Sequence, residues 1–566
     1  MTQDRHPSIR RTALMLLAAM SLASVWASGQ TVLDAADFGL KADGVSDDGP
    51  AVREMLERAA ATAGSAMLKF PSGKSIHIAS GKERYAFRID QLHNLSIDGG
   101  GSTFLLDKEL RFLHVTSSRD FRMTRLNVDL TRSPVVEATV MQLHDEGKRL
   151  LVRLDEPSRA SELGGPTQKD GEQAFFGMLW LPDGDVMQSS HYYIDAVKHS
   201  GPAGSGMVEL VCPNEMPAST RTAIKPGETR ISLPVPGIAH RRGPGPMLRI
   251  DRCQNVNFED VEVWSAPWFA FEILRNGGEQ IFRRVHVRPK PDSGRTTSSW
   301  RDGFHAKGNR GSLLFEDCIL EGMNDDAFNI STHAWFVEAV PAPDRARIRQ
   351  VFPIYYMPLH KDGEVLAISS DGARRLGPAC IAEISGAPEN EAVFLPEHHK
   401  APVLELTFTR PIEGLAPGCI LWDLTSANPA TVIRGCRIRK SCRIQSPVTM
   451  ERCDVAGLLM FYCDDVEGPM PSGSIVRDST LRRGRGNDSL AVAINGWRGG
   501  RAPAVIPPAA EFPLRDLRFE RNIIHGGFHA IAVNGLALVE NQFLSGPPQL
   551  DHSTADVENF REKPDH

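Results

Sequence analysis

Along this chain one short pattern of apolar and polar positions returns again and again. An apolar residue is followed by two polar ones, a small or apolar one, a spacer and another apolar residue. Clear copies are Phe258-Glu-Asp-Val261-Glu-Val263, Phe282-Arg-Arg-Val285-His-Val287, Phe315-Glu-Asp-Cys318-Ile-Leu320, Ile433-Arg-Gly-Cys436-Arg-Ile438, Met450-Glu-Arg-Cys453-Asp-Val455 and Val476-Arg-Asp-Ser479-Thr-Leu481. Phe519-Glu-Arg-Asn522-Ile-Ile524 and Val539-Glu-Asn-Gln542-Phe-Leu544 close the series, and Asn94–Ile97 and Phe121–Val128 read as degenerate early copies. Alternation of this kind predicts short strands joined at a tight corner. No helix-length amphipathic stretch separates most copies, so they are not strand–helix–strand units. Strands repeated every ~20–25 residues stack in parallel, each inward side chain on its equivalent in the next coil. The predicted fold is therefore all-β, a right-handed parallel β-helix.

Two stretches break the pattern. Residues 131–235 and 335–425 read as antiparallel strands with Gly/Pro-rich turns, each long enough for a small inserted β-barrel-like domain. The expected organisation is a leader over 1–27, entry and first coils over 28–130, the first insert, central coils over 236–334, the second insert, and C-terminal coils and tail over 426–566. The entry, Asp37-Phe38-Gly39 through Asp47-Asp48, precedes a helix expected over Gly49–Thr62 and then Phe70-Pro71-Ser72-Gly73. It resembles the N-terminal segment of the pectate-lyase-like β-helix superfamily. Asp47 and Asp48 are expected to cap the helix rather than to do chemistry.

Arg5, Arg10 and Arg11 before the apolar run Ala13–Ala27, with small residues at Ala27-Ser28-Gly29, have the layout of a signal peptide. The run is too short for a membrane anchor. The protein is expected to be exported, to periplasm or medium, with no integral membrane segment after cleavage. Net charge is only −6 over 566 residues with no basic block, which argues against a nucleic-acid partner. Although an exported protein with nine cysteines invites disulfides, Cys318, Cys436 and Cys453 share one slot of the repeat with Val261 and Val285. They are expected to be buried thiols.

The chemistry concentrates in Asp302-Gly303-Phe304-His305 and Asn324-Asp325-Asp326-Ala327-Phe328-Asn329. Asp302 and Asp325 lie 23 residues apart, about one coil, so these phrases fall on neighbouring rungs about 4.8 Å apart. Carboxylates crowded in this way split their pKa values, one staying protonated near neutral pH. A carboxyl pair of that sort is what glycoside hydrolysis requires. A single aspartate at a β-helix corner more often caps a turn; it is the combination of Asp302, Asp325, Asp326, Asn329 and His333 that points to a site.

The stretch from Pro289 through Asp302-Gly303-Phe304-His305, Asn309-Arg310-Gly311, Phe315-Glu316-Asp317-Cys318 and Asp325-Asp326-Ala327-Phe328-Asn329-Ile330 resembles glycoside hydrolase family 110, the exo-acting α-1,3-galactosidases. That family also embeds β-barrels in its β-helix. The resemblance implies that Asp302, Asp325 and Asp326 are the catalytic acids of an inverting hydrolysis of an α-linked terminal sugar, with no metal or other cofactor. Asp325 is favoured as acid, with Asp302 and Asp326 orienting water. The partner is an oligosaccharide or polysaccharide glycan.

Around the carboxylates, His305 and Lys307 alternate with Phe304 and Ala306 and so share a face, from which they would hydrogen-bond sugar hydroxyls. Trp300, Arg301, Asn329 and His333 are further expected substrate contacts. Weaker candidates are Trp264 and Trp268 as a stacking platform, Arg241 and Arg242 as an anion site, and Asp464-Asp465 as a distant part of the cleft. Arg437-Ile438-Arg439 lies within a repeat copy and reads as structural. Two competing functions use the same scaffold: a polysaccharide lyase or uronate epimerase, in which the aspartates would hold calcium, and a non-catalytic glycan-binding β-helix.

Overall fold

The structure, a computed structural model, describes residues 29–163, 176–183, 186–202, 204–235, 245–351, 356–386, 403–462, 464, 466–483, 489–558 and 561–562. The expected leader, Arg241, Arg242 and Asp465 lie outside them. The repeat forms a right-handed parallel β-helix. Each copy pairs in parallel with its equivalent one coil on: Phe258 with Phe282, Phe282 with Phe315, Phe315 with Ile433, Ile433 with Met450, Met450 with Val476 and Val476 with Phe519. These strands belong to a 21-stranded sheet, and a 12-stranded sheet forms the face that carries the site.

The two polar residues of the motif have a backbone cause. The second takes the left-handed conformation at Asp260, Arg284, Asp317, Arg452, Asp478 and Arg521, with φ between 50° and 56°. Charges on successive corners then meet, as in Arg284–Asp260 at 2.6 Å and Arg521–Asp478 at 2.7 Å. These half-exposed pairs are screened by solvent and contribute little to stability. In the final copy the register runs one residue earlier than the sequence pattern suggested. Leu538 pairs with Phe519, Glu540 takes the corner, and Asn541 fills the inward slot expected for Gln542. Asn541 wins because its carboxamide continues a buried hydrogen-bonded column, accepting from the Asn522 side chain at 2.9 Å and its backbone N–H at 3.0 Å.

Inside, aromatic rings stack in register. Phe258, Phe282 and Phe315 form one file with centroid spacings of 5.5 and 5.1 Å, and Phe271, Phe304 and Phe328 a second with 4.8 and 5.4 Å. Cys318, Cys436 and Cys453 occupy the expected buried slot, each thiol within reach of a carbonyl of the preceding coil, and the described cysteines are all free. At another corner Asn276, Asn309 and Asn428 form a fully buried ladder. Asn309 accepts from the Asn276 N–H at 2.9 Å and donates to the Ile273 carbonyl at 3.1 Å and to Asn428 at 2.8 Å.

The entry helix spans Gly49–Ala60, and its buried face of Val52, Met55, Leu56 and Ala59 joins the solenoid core. Asp47 accepts from the Gly49 N–H at 2.9 Å, as a cap should. Asp48 does not cap with its side chain: its carboxylate turns back to accept from the N–H groups of Lys41 and Ala42 at 2.7 and 3.0 Å, pinning the entry loop.

Both repeat-breaking stretches are antiparallel. The second closes as a six-stranded barrel between Trp335 and Asp423. The first is a seven-stranded sheet whose edge strands, Val186–Tyr193 and Ala196–His199, are not paired with each other. The sheet has its own apolar core.

Asn309→Ala would take away the acceptor of the buried Asn276 N–H and of its side-chain amide, at about 1–3 kcal/mol per group. The expected outcome is a lower urea midpoint for the coils around the site, read by chemical denaturation with the wild type as reference.

Candidate active site

Five strands of the 12-stranded sheet carry the site: β1 (Phe271–Leu274), β2 (Phe304–Lys307), β3 (Phe328–His333), β4 (Cys442–Ile444) and β5 (Leu459–Tyr462). Because side chains alternate along a strand, Phe271, Phe304, Phe328, Cys442 and Leu459 point into the core. Their neighbours Glu272, His305, Asn329, Arg443 and Met460 form one outward row. Asp302 and Asp326 each stand two residues before their strand. The Phe304–Phe328 register therefore stacks Asp302 on Asp326, with Asp325 diagonal to both. The two segments touch backbone to backbone, the Gly303 N–H donating to the Asp326 carbonyl at 2.9 Å. A Cβ at Gly303 would stand 2.7 Å from the Ala327 carbonyl oxygen, so a residue without one permits this approach.

The three carboxylates come together, each offering an oxygen within 4.8 Å of the others, but their surroundings differ. The Asp325 side chain is 36% exposed and is paired with Arg301 at 2.9 Å. Burial pushes its carboxyl up, but the Arg301 and Arg443 guanidinium groups outweigh that and hold it below the usual range. Asp302 is almost wholly buried, and burial, followed by the Asp325 charge, pushes it well above that range. Its carboxylate lies 2.6 Å from His305 Nδ1 and accepts from the Asp326 N–H at 3.4 Å. His305 is held at about 3, by burial first and then by Lys307, so the imidazole is neutral and one proton sits between the two groups. Asp326 is also raised by burial, against the pull of Arg443, whose Nε lies 2.9 Å away. Burial thus favours the protonated form at Asp302 and the guanidinium groups favour the ionised form at Asp325, the residue favoured from sequence as the acid.

The outer residues divide as well. Arg301 lies in the site, with its guanidinium 4.8 Å over the Trp268 ring, so Trp268 packs against a cation. Asn329 accepts from Lys307 at 3.0 Å. Trp300, Lys307 and His333 are not the open sugar contacts expected from sequence, being 3%, 0% and 2% exposed. Trp300 is drawn inward because its N–H donates to the Ala266 carbonyl, continuing a ladder of bridges Ala266–Ser299–Met323. Lys307 is consumed by Asn329, Ser331 and Glu467. His333 is covered where β3 pairs antiparallel with Glu467–Gly468. Asp464 accepts from the Val466 and Glu467 N–H groups, shaping that turn. Trp264 donates to Glu262 at 2.7 Å. Arg437 and Arg439 pair with Glu321 and Asp454 at 2.8 and 2.6 Å, as structural residues would.

Sequence reasoning missed four contributors. Arg443 is in register with Asn329, a relation hidden by the insert between β3 and β4. Glu467 reaches Lys307 and also Arg443 at 3.5 Å. It does so because Gly468, where a Cβ would stand 2.6 Å from the Trp422 ring, lets its strand pack close. Phe269 stacks on His305 at 4.1 Å. His191 arrives from the first insert.

No protein-family profile matches the chain. The curated proteins that resemble it are named α-1,3-galactosidases. An α-1,3-galactosidase B of Akkermansia muciniphila is 25% identical over 53% of this chain and 38% of its own length. An α-1,3-galactosidase A of the same organism is 29% identical over 36% of this chain and 34% of its own length. An α-1,3-galactosidase B of Bacteroides thetaiotaomicron is 23% identical over 94% of this chain and 88% of its own length. Curated proteins of that name from several organisms are thus similar to this chain at low identity. Matches to the two Akkermansia proteins thus span well under half of those longer chains. Among solved structures, the A-module of an Azotobacter vinelandii mannuronan C-5 epimerase aligns over 94% of this chain and all of its own, at 10% identity and a TM-score of 0.39.

An ionised carboxylate, a protonated one and a neutral histidine side by side can deliver and accept protons in one event. Removing the Arg301 charge lets the Asp325 pKa rise. A base acts only when deprotonated, so Arg301→Met should move the acid limb of the pH–rate profile to higher pH by about 1–3 units, measured as kcat/KM from pH 3 to 8.

Proposed function

We propose that this chain is an exported glycoside hydrolase that removes an α-linked terminal galactose-type residue with inversion of configuration. The observation that carries the proposal is the unequal pairing of three carboxylates on adjacent coils: Asp302 against His305, Asp325 against Arg301 and Asp326 against Arg443. In this reading Asp302 protonates the glycosidic oxygen. Asp325, assisted by Asp326, activates a water, and Phe269 and Trp268 wall the sugar. The carboxylates stand closer than the ~6.5–9.5 Å of a two-carboxylate inverting pair. Inversion requires the water held by Asp325 and Asp326 to attack the anomeric carbon from the face opposite the oxygen that Asp302 protonates. The names of the relatives support the galactoside class. The basic-then-apolar leader over residues 1–27 supports export, which amino-terminal sequencing of protein from the periplasm or medium would test.

One observation favours a second reading. Three carboxylate oxygens within 4.8 Å of one another would also suit calcium, as in a uronate lyase or epimerase. Arg301, Arg443 and His305 already partner the three groups, which favours hydrolysis.

The test is an activity screen on α-galactosides, other aryl glycosides and uronic-acid polymers, with and without EDTA, the product anomer followed by NMR. A β-configured sugar released from an α-linked substrate, unaffected by EDTA, is the expected outcome. Release of the α-anomer would overturn inversion, and an unsaturated product lost on chelation would overturn hydrolysis. Asp302→Asn and Asp325→Asn should each lower kcat by about 10²–10⁴-fold.

A further inference from the structure

The first insert is fastened to the loop that delivers Arg301. The Glu137 carboxylate accepts from the Thr296 N–H at 3.0 Å and its hydroxyl at 2.7 Å, from the Thr297 N–H at 3.3 Å and from the Ser232 hydroxyl at 2.9 Å. The Thr297 hydroxyl donates to Ser232 at 2.8 Å, as does the Trp180 indole N–H, while Arg295 anchors the same loop to Asp129 of the first coils through two bonds of 2.8 and 2.7 Å. Each of these acceptors is buried, so the insert's sheet has a fixed orientation over the carboxylates rather than a loose one.

Its open edge strand, Val186–Tyr193, is the part that reaches them. Tyr192 is buried in the insert's core, its hydroxyl donating to the Lys148 carbonyl at 3.2 Å. The alternation therefore turns His191 and Tyr193 to the opposite face, where both are solvent-accessible. There the His191 ring hydrogen-bonds to the backbone of Asn324, the residue before the paired aspartates, and lies in the field of Asp325, Lys440 and Arg301. Its ring therefore stands at the solvent-facing border of the carboxylate cluster.

We infer that His191 is a further substrate-contacting residue of this site, hydrogen-bonding a hydroxyl of the bound glycan, so that the first insert helps set glycan specificity. The inference rests on the hydrolase reading above. Burial first, and then the Lys440 charge, holds His191 at about 4, leaving it neutral at pH 7. The one N–H of the neutral imidazole is spent on the Asn324 carbonyl, which leaves an acceptor nitrogen to take a hydrogen bond from a sugar hydroxyl and gives no charge to attract a carboxylate. The residue thus favours a neutral sugar over a uronate.

Steady-state kinetics of His191→Ala and His191→Asn on the best α-galactoside, with thermal midpoints, test this. His191→Ala should lower kcat/KM about 3- to 10-fold, the worth of one neutral hydrogen bond. The loss should lie mainly in KM, with the midpoint unchanged and Asn recovering part of it. Unaltered kcat/KM would overturn the inference. So would a loss confined to kcat with a displaced acid limb, because His191 would then act by positioning Asp325. Wild-type protein inactive on every α-galactoside would sink the hydrolase reading and this one together; an active wild type with an undiminished alanine variant would sink this one alone.

Discussion

In-register stacking of Phe271, Phe304 and Phe328 is the constraint on which the rest of the molecule depends. A parallel coil cannot slip by one residue without turning its aromatic file outward and its polar row inward. With the file buried, the outward row of Glu272, His305, Asn329 and Arg443 has no freedom of register. The same lock sets Asp302 on Asp326 and leaves Asp325 diagonal, since both aspartates precede their phenylalanine by two residues. The ladder of Asn276, Asn309 and Asn428 holds the adjoining corner by bonding side chain to backbone and side chain to side chain across successive coils.

On that platform the site is an exercise in unequal burial. Asp302, Asp325, Asp326 and Glu467 face Arg301, Arg443, Lys307 and Lys440 within a small volume. Had all four carboxylates equal partners, they would ionise together and nothing would hold a proton. Lys307 instead commits to Glu467 and Arg301 to Asp325. Asp302 is left with His305, whose imidazole is itself kept neutral by burial and by Lys307. Proton storage at Asp302 follows from where the cations are spent.

The inserts build the walls of this site. The second begins as β3 ends and returns to the helix before β4, bringing Trp422 against Gly468 and so Glu467 against Lys307. The first is clamped by Glu137 to the threonines just upstream of Trp300 and Arg301, and turns His191 toward Asn324. A β-helix face alone is a shallow surface; enclosure by two antiparallel sheets supplies the desolvation that separates the carboxyl pKa values.

The sequence by itself determined the solenoid, the two interruptions, the thiol slot at Cys318, Cys436 and Cys453, and the gathering of Asp302, Asp325 and Asp326. Each of these follows from local alternation or from spacing near one coil. It misjudged whatever depended on a particular neighbour. Gln542 was given the slot that Asn541 fills, because only the column above Asn522 reveals the register. Trp300, Lys307 and His333 looked available because nothing local announces the bridges and strand that cover them. Arg443 and Glu467 are far from Asp302 along the chain, and Arg443 is separated from it by a whole insert. Which carboxyl holds the proton was left to tertiary structure, because ionisation in a buried cluster depends on distances to charges that the chain order does not encode.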